Sequence, residues 1–145
     1  MFKRPSSELK FEMEDQTVTA VLEMAARPGA WARQEYKEQA NALTGEVTSE
    51  NWDDLPATTQ QRWILHQWAG AAIAGATQSL TMQTGKGKPE SLTVTPELIE
   101  ALPDQVLGEM TVQAYRFNPH WAPPSIREAM AQETGADPNA TTGTA

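Results

Sequence analysis

Leu9, Phe11 and Met13 alternate with Lys10, Glu12 and Glu14, the period of two that marks a half-buried strand. Asp15-Gln16 predicts a turn after it. In residues 17–24 the β-branched content favours a second strand and hence a hairpin, although Val18, Val21, Leu22 and Ala25 also fit one helical face. Arg27-Pro28-Gly29 ends that segment on either reading. Residues 30–43 predict a helix, with Trp31, Ala32, Glu35, Tyr36, Gln39, Ala40 and Leu43 on one broad side and Thr44-Gly45 closing it. Thr48 or Ser49 caps a short turn through Trp52-Asp53-Asp54-Leu55, and Pro56 interrupts. Thr58 or Thr59 then starts a long apolar helix reaching to about Leu80.

The centre of that helix, residues 61–75, carries Trp63 and Trp68 and then runs almost wholly in Ala, Gly and Ile. Such a helix must be covered by the rest of the chain or by a partner. Five residues separate the two tryptophans, an offset of about 140° around a helix, so they cannot share one face. Two surfaces are therefore needed to cover it, and the helices over 30–43 and 96–117 are the ones available. Ala71 and Gly75, four apart, form a small-residue pair that admits a close neighbour.

Further on, residues 84–91 predict a loop. Thr95-Pro96-Glu97 starts a helix with a capping hydroxyl, a proline at the first helical position and an acid in the first turn. Leu98, Ile99 and Leu102 form its apolar side, and Pro103 breaks it. From Asp104, Val106, Leu107, Met110, Ala114 and Phe117 recur at helical spacing until Asn118-Pro119 stops the helix. Residues 125–133 predict one more short helix, and 137–145 predict disorder. The expected fold class is mainly α: a bundle of about four helices with a short N-terminal β-hairpin. Residues 1–122 form a single globular, mostly helical domain, and 123–145 a Pro/Thr/Gly-rich, partly disordered tail.

Composition narrows function mainly by exclusion. A net charge of −8 over 145 residues repels phosphate backbones and anionic membrane surfaces. The absence of cysteine removes disulfides, thiolate metal sites and cysteine nucleophiles. Residues 63–76 are too few to span a bilayer, and the N-terminus lacks the apolar stretch of a signal peptide. These features predict a soluble, cytoplasmic protein.

Catalytic candidates are weak. The two histidines, His66 and His120, lie far apart in no metal-binding frame, and His66 reads as a boundary residue of a packed helix. Asp53-Asp54 reads as first-turn charge on a helix rather than a catalytic pair. Gly85-Lys86-Gly87-Lys88 runs into Pro89 and lacks phosphate-loop spacing, and no nucleophile elbow is present. The expectation is no enzyme, with no catalytic residue, cofactor or metal. Trp121, among prolines beyond the last strong helix, either folds back on the body or awaits a partner.

The order of features is a short strand region, a polar helix, a Trp-containing alanine-rich helix, a Gly-rich loop, the run Leu92-Thr93-Val94-Thr95-Pro96-Glu97, and an amphipathic helix leaving through Asn118-Pro119. This order resembles the tail assembly chaperones of long-tailed bacteriophages, chiefly over residues 52–121. The resemblance implies a non-enzymatic protein acting in the cytoplasm of a bacterial host. It would bind the tape-measure protein, keep its long helices soluble and recruit tail-tube subunits, sometimes with a longer form made by frameshifting. No nucleic acid and no membrane are implied as partners, and the oligomeric state is left open. Partner-binding candidates are Trp63, Trp68, Tyr115 and Trp121, with the groove formed by the apolar helix and the exit at 118–124. The alternatives are an acidic phage inhibitor of a host nucleic-acid-binding enzyme, and a small structural tail or neck protein of the virion.

Overall fold

The alternating N-terminal residues form strands, as their period requires. In the computed structural model, which describes residues 6–23 and 27–133, β1 (Ser6–Glu12) and β2 (Gln16–Glu23) pair antiparallel from Ser6↔Glu23 to Glu12↔Thr17. Met13 and Gln16 exchange backbone hydrogen bonds of 2.8 and 3.3 Å across the turn. The strand reading of residues 17–24 therefore holds over Gln16–Glu23, and the helical alternative does not.

The hairpin is half of a larger sheet, and this corrects the expected fold class. β3 (Thr77–Thr84) pairs antiparallel with β2, and the two-residue β4 (Glu90–Ser91) pairs with β3, giving the order β1-β2-β3-β4. The protein mixes α-helices with a four-stranded antiparallel sheet and is not a mainly-α bundle. The error lies at residues 77–84. The apolar helix expected to reach Leu80 stops at Ala76, and Thr77 turns directly into extended backbone at φ −75°, ψ 115°. Within β3 only Leu80 and Met82 are apolar, so its period of two is faint. Its pairing partners are remote: Met82 faces Val18, 64 positions earlier. Strand formation here is driven by packing against β2, a term that local propensity does not contain.

Around the sheet run α1 (Arg27–Thr44), a 3₁₀ turn at Trp52–Asp54, α2 (Ala57–Leu65), a π-helical turn at His66–Gly70 and α3 (Ala71–Ala76). They are followed by α4 (Pro96–Ala101), α5 (Asp104–Phe117), a second 3₁₀ turn at Pro119–Trp121 and α6 (Pro124–Glu133). Arg27-Pro28-Gly29, expected outside any element, supplies the first turn of α1, a place where proline costs no hydrogen bond. Gly45 ends α1 at φ +77°, its N–H donating to the Asn41 carbonyl at 2.9 Å, as the closing Thr44-Gly45 predicts. Thr95 caps α4 by accepting the Leu98 N–H at 3.2 Å. The disorder expected over 137–145 lies outside the described residues.

Only one face of the sheet is apolar. Val18, Ala20, Leu22 and Leu80 point inward with Phe11, while Glu8, Lys10 and Glu12 face solvent. α5 packs across β1 and β2, α3 packs on α5 and β2, and α1 covers α3. Ile73, Ile99, Val106, Met110 and Ala114 complete the core. The small-residue part of the run, α3, is thus covered from two sides, by α1 and by α5, while of the two tryptophans Trp63 packs on Trp52 and Trp68 stays exposed. No helix among the described residues is long and apolar enough to cross a membrane.

Candidate functional site

The π-helical turn divides the apolar run into two ends of opposite character. A π turn carries one residue more than an α turn, so side chains before and after it lose the common register. After it, small residues meet α1. A Cβ on Gly70 would lie 2.6 Å from Cζ of Tyr36, and one on Gly75 would strike the Arg33 stem and come within 2.9 Å of Trp121. Glycine at these two positions is what lets α1 approach. Ala71, Ala72, Ile73 and Ala76 are all buried there.

A polar chain crosses this closed seam. The Tyr36 hydroxyl meets His66 Nδ1, His66 Nε2 lies 2.8 Å from Glu100 Oε2, and Arg62 clasps both Glu100 oxygens, the Nη2–Oε1 contact being 2.8 Å. Arg62, above all, then the His66 contact, holds the Glu100 carboxyl down at about 2 against the opposing effect of burial. Glu100 is therefore a carboxylate and can only accept, so His66 Nε2 carries a proton. Burial, then the charges of Glu100 and Glu97, pushes the Tyr36 hydroxyl above the ordinary tyrosine range. It keeps its proton and donates to Nδ1. Every polar atom of the imidazole is satisfied, and four elements (α1, α2, the π turn and α4) are tied together. His66 is thus fully buried, not a boundary residue. The arrangement has the form of a proton relay, yet Tyr36 and His66 are sealed from solvent, with only Glu100 and Arg62 reaching it. The polar chain joins four elements through one buried imidazole and so fixes their relative orientation.

Before the π turn the run is open. Trp63 packs edge-on against Trp52 with ring centroids 5.3 Å apart. Together with Val47, Thr48, Ser49 and Ile64 these rings line an almost wholly apolar groove of about 310 Å³. Ile64 and Trp68, one turn apart, are 44% and 43% exposed. Glu50, Asp53 and Asp54 stand exposed in the segment that borders the groove, the latter two in the first turn of the 3₁₀ helix.

The four expected anchors separate. Trp63 walls the groove, and Trp68 stands exposed in the π turn outside its lining. Tyr115 and Trp121, at 3% and 8% exposure, belong to the core. Trp121 folds back on the body, with the Arg33 guanidinium 4.3 Å from its ring centroid. Burial, partly opposed by Arg33, pushes the Tyr115 hydroxyl up to about 12. The sequence reading missed Val47, Trp52 and Ile64 in the groove, and Tyr36, Arg62 and Glu100 in the polar chain. Two signals were present: Ile64 and Trp68 share a face at i, i+4, and so do Arg62 and His66. Asp53-Asp54 is first-turn charge, as expected. Gly85-Lys86-Gly87-Lys88 forms the β3–β4 turn, with Gly85 at φ +57° donating its N–H to the Asp15 carbonyl at 2.7 Å.

Comparison of the chain with protein-family models, with curated proteins and with solved structures found no match in any of the three.

Proposed function

We propose that this protein is a non-enzymatic assembly chaperone of the phage-tail type, acting in the cytoplasm of the bacterial host. It holds apolar helical segments of a tape-measure protein and presents them to tail-tube subunits. The observation that carries the reading is the open aromatic groove of Val47, Trp52, Trp63 and Ile64, with Trp68 exposed one helical turn beyond Ile64. Exposed apolar side chains gathered into one patch, rather than scattered singly, are what mark a binding surface. The groove has roughly twice the ~150 Å³ that accommodates one benzene-sized group. It therefore suits two large side chains from one helix, spaced i, i+3 or i, i+4. The acids bordering it, Glu50, Asp53 and Asp54, favour partner helices whose apolar stripe is flanked by Lys or Arg. The sealed polar chain fits a rigid body that presents a surface rather than a cleft that converts a substrate.

The test is co-expression of the full chain with the tape-measure protein of the same tail gene cluster. The expected result is a soluble complex that co-purifies, with recovery reduced by Trp68→Ala. A tape-measure protein that stays insoluble and fails to co-purify overturns the reading.

A further inference from the structure

We propose that two copies of this chain join edge to edge through β1, making one continuous eight-stranded sheet. The proposal is independent of the chaperone reading and rests on the opposite end of the sheet from β4.

β1 pairs with β2 on one side only, and among the described residues no strand pairs with its other edge. Such an edge is a template for another strand. Beside it an open cleft of about 540 Å³ lies between Leu9 and α5, with Gly108 and Val112 among the polar side chains of Gln105, Glu109, Gln113 and Arg116. Val112 is 41% exposed, and a Cβ on Gly108 would meet nothing within 4 Å. α5 extends into the space that a fifth strand would roof.

The charges of β1 select a second copy as the occupant. In an antiparallel twofold pair centred on Leu9, Glu8 of each copy faces Lys10 of the other, Ser7 faces Phe11, and Leu9 faces itself. Both Glu–Lys pairs lie on the solvent face, where opposite charges across strands attract. Other centres are worse. Centred on Lys10, lysine faces lysine and Glu8 faces Glu12; centred on Phe11, Lys10 faces Glu12 twice, but Glu8 then faces Glu14 beyond the strand end and the two repulsions offset the attractions. Registers centred between residues put Leu9 opposite Lys10 and turn one apolar face to water. The helices agree with the strands. α5 lies over β1 and β2, so with strands about 4.8 Å apart its twin would stand about 10 Å away. That is a normal helix-packing distance.

The experiment is the mass of the full chain by light scattering and sedimentation over a concentration series. The expected result is a dimer. Lys10→Glu, at a side chain 62% exposed and 3.8 Å from Glu12 of its own strand, should weaken it about tenfold by turning two attractions across the pair into repulsions. Adding Glu8→Lys to that variant swaps the charges and should restore dimerisation to within about threefold of the parent. The circular dichroism of both variants should match the parent. A full chain that stays monomeric overturns the proposal, including the case in which removing residues 134–145 is needed to expose the edge. A dimer indifferent to Lys10→Glu, or not restored by the swap, overturns it as well.

Discussion

Trp121 packs on the apolar helical run and Trp68 belongs to it, yet the first is buried and the second is half in solvent. Trp121 arrives from a proline-rich exit and is sealed against Arg33 and Gly75. Trp68 sits within the run itself and remains 43% exposed. The difference comes from the neighbours. Where α1 crosses the run, Gly70 and Gly75 let it close down, and Ala71, Ala72, Ile73 and Ala76 become core. On the side that no described element crosses, the large side chains are left to solvent. Closure and openness along one run thus follow from where the small residues fall.

Removing each ring should separate the two ends most sharply. Trp121→Ala should cost about 3–5 kcal/mol, the usual loss for a buried large aromatic, read from the urea midpoint. If it costs no more than a surface substitution, the exit is not part of the core. Gly70→Ala should cost about 1–3 kcal/mol, because the new methyl must displace the Tyr36 ring. An unchanged midpoint would mean that α1 can shift freely and the seam is loose.

Glu100→Gln tests the polar chain through pH. The folded-state pKa of Glu100 lies near 2, below its ordinary value of 4.5. Its contribution is therefore complete above about pH 4.5 and is lost as pH falls through about 2. The substitution should cost about 1–2 kcal/mol at neutral pH, a figure reduced for the screening of Arg62, which is 43% exposed. It should also flatten the stability curve between pH 4.5 and 2. A variant as acid-sensitive as the parent would show that other carboxylates set that dependence.

The smallest change in stability belongs to Trp68→Ala, expected within about 1 kcal/mol of the parent. Binding of an amphipathic partner helix should nevertheless weaken about tenfold or more, measured by fluorescence titration. A large fall in the midpoint would place Trp68 in the core and erase the contrast between the two ends.

Much of this division is faint in the sequence. The offset between Trp63 and Trp68 implied two covering surfaces; α1 and α5 cover α3, but Trp63 packs on Trp52 and Trp68 is left exposed. The same offset assumed an uninterrupted α-helix, however, and nothing local announced the π turn at His66–Gly70. His66 looked like a boundary residue because its partners, Tyr36 and Glu100, lie 30 positions before and 34 after it. The groove was half visible: Trp63 stood out, whereas Trp52 looked like part of a short capped turn until its ring was found against Trp63.

The sequence by itself determined what depends on neighbours within about one turn. Among these features are the β1–β2 hairpin from its alternation, the Thr95 cap and Pro96 start of α4, the Gly45 end of α1, and the helical period of α5. Only the tertiary structure decided what depends on groups remote along the chain. Residues 77–84 are a strand because β2 offers an edge to pair with. Tyr115 is core because α5 packs on α3 and the sheet, and Trp121 because the 118–122 exit folds onto Arg33 and Gly75. Trp68 is exposed because, among the described residues, no element covers it. Local conformation is set by backbone sterics and short-range hydrogen bonds, which a few residues carry. Burial is set by which surfaces meet, and that is a property of the whole chain.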